Sequence, residues 1–264
     1  TPQLFFGGCL LALVLEATRR TAGLGLTAIV GLFLIYNWFG SWLPAPFGHG
    51  IKDFSYSLDI LLFTTDGVFG VPIQVIASYV FIFVLFGTLL AKAGGGQFFF
   101  DLASAMTRRA RGGPAKVAVI SSGLFGTISG SPTSDVVATG SITIPIMKRL
   151  GYAGRVAGGI EVAASTGGSA MPPIMGAAAF ILAEFTATPY REIIYAALIP
   201  AMLYYVGVFL QVHLRAVRHD LRPYNGEIPK LTRTFGVGWP FIVPIGVIIG
   251  MLWVGYSPVM TAGA

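Results

Sequence analysis

Long apolar segments that carry almost no charge occupy most of this chain, and they restrict its fold more than any other feature. Only 11% of the 264 residues are charged and 55% are hydrophobic, whereas a soluble domain has about 25% charged residues. The apolar segments are 3–15, 23–43, 68–91, 116–146, 159–184, 193–213 and 237–256. Most of them have the roughly 20 residues that a helix needs to cross a bilayer. We therefore predict an all-α polytopic membrane protein with about six transmembrane helices.

The residue inventory argues against several other classes of protein. A single cysteine, Cys9, excludes a disulfide framework and a cysteine-based metal cluster. Ser129 and Ser165 have no histidine or lysine partner in view, and no nucleophile–base pair or metal set is visible, so we expect no enzyme and no cofactor other than a coupling ion. The net charge of +6 is interpreted as a topology signal, not a nucleic-acid surface. Because the chain begins at Thr1 and stops just after an apolar segment, we expect a fragment of a longer polypeptide.

The basic residues set the topology. Fifteen of the seventeen lie in four linkers, which hold two, five, three and five of them. They are Arg19 and Arg20; Lys92, Arg108, Arg109, Arg111 and Lys116; Lys148, Arg149 and Arg155; and Arg215, Arg218, Arg222, Lys230 and Arg233. The positive-inside rule assigns basic linkers to the cytoplasm.

Segment 116–146 has strongly basic linkers on both sides, which the rule permits only if the segment returns to the face it entered from. We therefore predict a re-entrant helical hairpin, with its tip in the Gly-, Ser- and Pro-rich run 126–135. Each arm of about 15 residues is ~22 Å long, which passes the membrane midplane without spanning it. Non-helical backbone at that depth must be buried in protein or line a wet cavity.

Asp135 lies just past the predicted hairpin tip. Ser131 and Pro132 have the form of an N-cap followed by proline at the first helical position, which places Asp135 in the first turn, where the helix dipole favours negative charge. One interpretation is a capping acid that only stabilises this half-helix. The other is an ion ligand, because Ser131 and Asp135 are four residues apart and share a helix face.

A second break is predicted inside segment 159–184, at Gly167-Gly168 and Pro172-Pro173, because two glycines and two prolines unwind a helix and free its carbonyls. A packed proline kink is the alternative interpretation. Two breaks at similar depth are typical of secondary transporters, in which half-helix N-termini face anionic substrate groups and unwound carbonyls hold the coupling cation. We expect five hydroxyl residues near the breaks to contact substrate: Ser129, Thr133, Ser134, Ser165 and Thr166.

Glu161 is the other acid inside an apolar segment. An ionisable group there is costly unless it is paired, hydrated or close to the interface, and it is a functional candidate by default. Because Arg155 is nearby in sequence, an interfacial ion pair is the interpretation that we favour, and a functional acid is the alternative.

The motifs around both breaks resemble the large membrane subunit of tripartite ATP-independent periplasmic (TRAP) transporters. They are Gly126-Thr-Ile-Ser-Gly-Ser131, Thr139-Gly-Ser-Ile-Thr-Ile-Pro145-Ile-Met-Lys148 and Glu161-Val-Ala-Ala-Ser-Thr-Gly-Gly-Ser-Ala-Met-Pro-Pro-Ile-Met-Gly-Ala-Ala-Ala-Phe180. The long motifs keep the order and spacing of the family. The runs 15–21 and 111–117 are similar to the fused-permease branch that works with TAXI-type binding proteins.

The resemblance implies a subunit of a bacterial inner-membrane importer with an elevator mechanism. It would carry a small organic acid, delivered by a periplasmic solute-binding protein and driven by a sodium gradient, with membrane lipid and a fused small membrane subunit as further partners and no nucleic acid. The family's first sodium site would fall on Ser131, Asp135, Gly167, Ala170 and Pro172. The family usually has Asn where Asp135 stands, and an acid there would strengthen cation binding or let a proton replace sodium.

The resemblance also implies two inverted repeats, of which this chain would hold the first half of an ion-transporter type fold. Residues 1–22 would end the fused small-subunit region, and 23–115 would form scaffold helices and an amphipathic arm over 98–106. Residues 116–184 would form the transport-domain hairpin and broken helix, and 185–264 scaffold helices leading to the second repeat. A carboxylate carrier that needs no binding protein and a non-transporting membrane scaffold are the alternative functions.

Overall fold

In the computed structural model, residues 2–44, 46–50, 53–107, 111–220 and 231–263 are described. Within these ranges every regular element is helical, which confirms the predicted all-α class. The helices are α1 (Pro2–Ala22), α2 (Leu24–Phe39), α3 (Phe54–Phe63), α4 (Val71–Val75), α5 (Phe81–Lys92), α6 (Gly95–Thr107), α7 (Gly113–Ser129), α8 (Pro132–Ala138), α9 (Gly140–Arg149), α10 (Gly154–Gly168), α11 (Ala177–Thr186), α12 (Tyr190–Arg218), α13 (Leu231–Val254) and α14 (Pro258–Gly263). A 3₁₀ turn over Gly40–Trp42 extends α2, and a π-helical turn over Ile76–Val80 joins α4 to α5. Of the basic linker residues, Arg108, Arg109, Arg222 and Lys230 lie outside the described residues.

Four helical stretches in the described ranges are long and apolar enough to cross a membrane: Leu24–Trp42, Val71–Lys92, Tyr190–Arg218 and Leu231–Val254. They leave large apolar side chains exposed, such as Leu203 at 66% and Val237 at 71%. Exposed apolar surface of that extent suits a lipid environment. The protein is a multi-pass membrane protein, while the count of six spans and the return of the hairpin to one face remain predictions.

The chain divides into two compact units, of which the first covers Thr1–Gln74. In this unit α1 packs against α2 and α3. Gly7 of α1 lies against Leu62 of α3, and a side-chain carbon at Gly7 would approach the Leu62 side chain to 3.2 Å. Near the end of α1, Arg19 and Arg20 both form ion pairs with Glu16, at 2.7 and 2.8 Å.

The second unit, Val75–Ala264, has α7 and α10 at its centre. Both helices present small buried residues, including Ala118, Ala157 and Ala164, each 0% exposed. Small residues let helix backbones approach closely, which is a common basis of helix association in membranes. Helices α6, α8, α9 and α12 pack around this pair, so α7 and α10 form the core on which the site is built.

The predicted amphipathic segment 98–106 forms helix α6, and its apolar side is buried against protein. Phe98 stacks on Phe241 of α13 with the ring centroids 5.3 Å apart. Phe99 contacts Phe125 of α7 edge-on at 6.2 Å. These contacts fix α6 against the core instead of leaving its apolar side free.

Candidate ion-binding site

The tip of the predicted hairpin is a tight turn between α7 and α8. Gly130 ends α7 with a left-handed φ of 58°, and a side-chain carbon at this position would collide with the Met175 carbonyl oxygen. Ser131 is the N-cap of α8, and its hydroxyl oxygen accepts a hydrogen bond from the Ser134 amide at 3.5 Å. Pro132 begins the helix and Asp135 lies in its first turn, as the sequence predicted. Helices α8 and α9 then pack back along α7.

The second predicted break lies directly against this tip. Helix α10 ends at Gly168, α11 begins at Ala177, and the loop between them includes a cis peptide bond at Pro172–Pro173. The Ile174 amide donates to the Thr127 carbonyl of α7 at 3.1 Å, and the Gly176 amide donates to the Ser169 carbonyl at 2.7 Å. The structure therefore brings the two breaks into contact.

Asp135 lies at the meeting point, fully buried. Its Oδ1 accepts a hydrogen bond from the Ser129 hydroxyl. Its Oδ2 is also buried and has no hydrogen-bond partner in the described part of the chain. Buried polar atoms are nearly always paired, and a lone one costs of the order of 1–3 kcal/mol.

Two glycines lie next to this oxygen. Gly126 of α7 and Gly168 of α10 face each other, and a side-chain carbon on Gly168 would lie 2.7 Å from both the Gly126 Cα and Asp135 Oδ2. A side-chain carbon on Gly126 would lie 3.0 Å from the same Oδ2. Neither position can carry a side chain while the helices and the carboxyl group stay where they are.

The second break contributes the backbone oxygens of the predicted ion site. Gly167 offers a carbonyl that accepts the Ala170 amide at 3.1 Å. Within the described ranges the carbonyls of Ala170 and Pro172 accept no hydrogen bond. Oxygen atoms of this kind suit hard cations. The predicted ion ligands thus belong to the two adjoining breaks: Ser131, half-buried, and Asp135 at the hairpin tip, and Gly167, Ala170 and Pro172 at the second break.

The predicted substrate contacts separate into two groups. The hydroxyl of Ser129 bonds Asp135, and that of Ser165 is buried and directed at Glu161, 3.5 Å away. Thr133 and Thr166 are exposed and Ser134 is half-buried, although the Thr166 hydroxyl donates to the Val162 carbonyl at 2.7 Å. Thr133 and Ser134, at the start of α8, are therefore the hydroxyl residues whose positions suit contact with a ligand.

The interpretation of Glu161 as an interfacial ion pair with Arg155 is wrong. Glu161 is 0% exposed, and the two ion pairs found among the described residues both involve Glu16. Its partners are four hydroxyl groups, contributed by Ser122, Thr139, Thr143 and Ser165. The sequence carried one signal of this site: Thr139 and Thr143, like Glu161 and Ser165, are four apart and share a helix face.

Two tyrosines of α12 hold α10 just before its break. The Tyr204 hydroxyl donates to the Ala163 carbonyl at 2.7 Å, and the Tyr205 hydroxyl donates to the Ala164 carbonyl at 2.8 Å. Beyond the break, the Tyr190 hydroxyl donates to the carbonyls of Pro173 and Ile174. Hydrogen bonds from α12 thus fix the helix and the loop on either side of the site.

Comparison with known proteins identifies a family. Residues 9–264 match the family described as tripartite ATP-independent periplasmic transporter, DctM component. The chain is 33% identical over 165 residues to the C4-dicarboxylate TRAP transporter large permease protein DctM of Pseudomonas aeruginosa, which covers 60% of this chain and 38% of that protein. It is 28% identical over 196 residues to the ectoine/5-hydroxyectoine large permease protein UehC of Ruegeria pomeroyi, covering 73% and 45%. Against the sialic acid permease protein SiaT of Haemophilus influenzae it is 27% identical over 188 residues, covering 68% and 29%, so the chain spans less than half the length of these relatives.

Proposed function

Because this chain belongs to the DctM component family, the large membrane subunit of TRAP transporters, we propose that it provides the cation site of an organic-acid importer. The family is one of permeases, and the described part of the chain holds no cluster of three His, Cys, Asp or Glu residues that could form a metal centre. The relatives named for C4-dicarboxylates and sialic acid support a small organic acid as substrate. By analogy with the family, a periplasmic solute-binding protein delivers the substrate to the permease in the bacterial inner membrane, and a small membrane subunit completes the assembly.

The single observation that carries the proposal is the unpartnered Oδ2 of Asp135. A side-chain carbon on Gly126 or Gly168 would lie within 3.0 Å of this oxygen, and in the adjoining break the carbonyls of Ala170 and Pro172 accept no hydrogen bond among the described residues. A sodium ion would be held there by Asp135, Ser131 and the carbonyls of Gly167, Ala170 and Pro172. Its positive charge would offset the buried carboxylate, so that occupancy stabilises the contact between hairpin tip and break.

The substrate side of the proposal follows from the same geometry. The N-terminus of α8 carries Thr133 and Ser134 at the exposed side of the tip, and helix N-termini attract anions. A cation bound at Asp135 would strengthen that attraction and would thereby couple the binding of the cation to the binding of the anionic substrate. In an elevator movement, 116–184 would carry both ligands past the scaffold helices.

The test is uptake by the full-length protein in sealed vesicles under an imposed sodium gradient. Asp135→Ala removes the carboxylate, and we expect loss of sodium-dependent uptake with unchanged membrane insertion. Asp101→Asn is the matched control, because Asp101 lies on α6, where it accepts a hydrogen bond from Gln97, and it is not one of the predicted ion ligands. Full sodium dependence in Asp135→Ala would refute the cation site.

Two further arms separate the alternative functions. Uptake that persists without any solute-binding protein would favour an independent carboxylate carrier. A protein that shows neither uptake nor stabilisation by sodium or organic anions would be a membrane scaffold. Asp135→Asn addresses the ion itself, because an amide still coordinates sodium but cannot exchange a proton.

A further inference from the structure

Three of the basic linkers meet where α7 packs against α12. The two helices run in opposite directions, since Gly112 lies against Ala216 and, further along α7, Gly123 lies against Tyr205. Tyr152, in the loop after α9, also reaches this place, because its hydroxyl oxygen would lie 3.0 Å from a side-chain carbon on Gly112. The linkers involved hold five, three and five basic residues, and the positive-inside rule assigns all three to the cytoplasmic face.

Two polar groups are buried here without a partner in the described part of the chain. Lys116 is 4% exposed and follows Gly112 by one turn on the same face of α7. Its ammonium group lies 5.3 Å from the centroid of the Phe209 ring of α12, and the ion pairs among the described residues do not include it. The Tyr152 hydroxyl is buried and has no hydrogen-bond partner in the same ranges. Both groups are donors, so an anionic group at this place would supply the partner that each lacks.

The surrounding electrostatics favour an anion at the same place. Gly112 is the N-cap of α7, with a left-handed φ of 68°, and the N-terminus of a helix attracts negative charge. Arg215, next to Ala216 on α12, is close enough to act on Tyr152 electrostatically. A buried ammonium group without a counterion is costly. An ammonium group, a hydroxyl and a helix N-terminus together suit the oxygens of a phosphate group.

An apolar groove begins beside Lys116 and indicates that the phosphate belongs to a lipid. This α7–α12 groove has a volume of about 310 Å³. Ile120, one turn after Lys116, lines its start together with Phe209, and Leu124 and Met171 line it further along α7. The stretch of α7 from Lys116 to Leu124 is about 12 Å long, which is most of the roughly 15 Å hydrocarbon depth of one leaflet. An acyl chain would fill the groove, whereas a free phosphate ion would leave it empty.

We propose that the α7–α12 groove binds one anionic phospholipid. Its phosphate contacts Lys116 and Tyr152, and one acyl chain lies along α7 towards the second break. Basic pockets between membrane helices on the cytoplasmic side are typical sites for such headgroups. Tyr205 also lines the groove, and its hydroxyl bonds the Ala164 carbonyl of α10. The bound lipid would therefore hold α12 against the helix that precedes the break.

The direct test uses the full-length protein in phosphatidylcholine nanodiscs that contain increasing fractions of phosphatidylglycerol. We expect the melting temperature to rise with that fraction, and native mass spectrometry to detect one retained phosphatidylglycerol molecule. Lys116→Gln should weaken the binding about fivefold, the effect of one basic residue near an anionic membrane surface. Lys148→Gln is the matched control, because it makes the same charge change at an exposed position of a neighbouring linker. Equal effects of the two variants, or no preference for phosphatidylglycerol over phosphatidylcholine, would overturn the proposal.

Tyr152→Phe separates a role in lipid binding from a role in the fold. The hydroxyl has no hydrogen-bond partner in the described part of the chain, so its removal should leave the melting temperature in pure phosphatidylcholine unchanged. The rise caused by phosphatidylglycerol should become smaller, because the headgroup loses a donor. A variant that is destabilised in phosphatidylcholine and responds normally to phosphatidylglycerol would show that the hydroxyl serves the fold, and would contradict the assigned contact.

The groove and the source of the phosphate are tested separately. Val206 lines the groove and is 50% exposed, so Val206→Trp should fill the groove and abolish retention of the lipid. Leu203→Trp is the control on the same helix, at a position that is 66% exposed and outside the groove lining. If Val206→Trp alone destabilised the protein in phosphatidylcholine, protein would occupy the groove and the proposal would be wrong.

Inorganic phosphate is the remaining probe, added to the protein in pure phosphatidylcholine nanodiscs. It should not reproduce the stabilisation by phosphatidylglycerol, because it cannot occupy the apolar groove. Equal stabilisation by the two would show a site for a free anion and would refute the lipid assignment. None of these measurements depends on transport, so their failure would be distinguishable from failure of the proposed cation site.

Discussion

Gly168→Ala tests the close contact between α7 and α10 beside the buried Oδ2 of Asp135. The added methyl group would lie 2.7 Å from both the Gly126 Cα and Asp135 Oδ2. Real side-chain carbons do not approach other heavy atoms this closely, and one of the two neighbours is backbone. Either the helices separate or the carboxyl group turns away, and both movements change the proposed cation site.

The magnitude follows from the cost of overpacking. Inserting a methyl group into a well-packed core costs about 1–3 kcal/mol, partly offset by the roughly 0.5–1 kcal/mol that Ala gains over Gly in a helix. If the strain falls on the cation-bound arrangement, sodium affinity decreases by about 5–150-fold. The substitution leaves every ligand oxygen present, so the loss would come from geometry alone.

The assay is a sodium titration of the full-length protein, read as the sodium-induced rise in melting temperature and as the sodium concentration for half-maximal uptake. Gly159→Ala is the matched control in the same helix, because a side-chain carbon there has nothing within 4 Å. We expect Gly159→Ala to be neutral or slightly stabilising. Unchanged sodium affinity in Gly168→Ala, or equal damage from both variants, would show that the glycine contact does not shape the site.

Two predictions concern the packing that holds the second break. Tyr190→Phe removes the hydroxyl that bonds the Ile174 carbonyl and keeps the aromatic ring, so it should lower the stability by about 1–3 kcal/mol. Tyr195→Phe is the control, since its side chain is exposed and makes no hydrogen bond among the described residues, and an equal loss in both variants would contradict the assignment. Phe180→Ala removes a ring that stacks on Tyr190 at 4.4 Å and is 3% exposed, so it should cost about 3–5 kcal/mol. Thermal unfolding of the full-length protein measures all four variants. Phe185→Ala is the control for Phe180→Ala, because Phe185 is 69% exposed on the same helix, and it should change the stability little. Similar losses of stability in both phenylalanine variants would contradict a specific stack.

The helix breaks could be predicted from the sequence because backbone chemistry is local. Gly130 adopts a left-handed conformation that few residues other than glycine accept, and Pro132 suits the first position of a helix. Pro172 and Pro173 lack amide donors, so α10 cannot continue through them. Each property belongs to a residue and its immediate neighbours, and the structure places both breaks where these residues stand.

The environment of Glu161 could not be predicted in the same way, because its partners are distant along the chain. Ser122 and Thr139 are 39 and 22 residues away, whereas Arg155 is close in sequence and favoured a local ion pair. Only the packing of α7 and α9 against α10 brings the hydroxyls to the carboxyl group. Hydroxyls at four-residue spacing indicate a polar helix face, but they do not identify what that face meets.

The two buried acids therefore differ in what their surroundings leave open. Asp135 has one oxygen bonded and one unpaired, next to two glycines that cannot carry a side chain, and the unpaired oxygen is the one that we propose binds a cation. Both oxygens of Glu161 already accept hydrogen bonds from hydroxyl groups, so neither is left unpaired. The Thr139 hydroxyl lies between the two residues, because it contacts the Glu161 carboxyl group and the backbone carbonyl of Asp135.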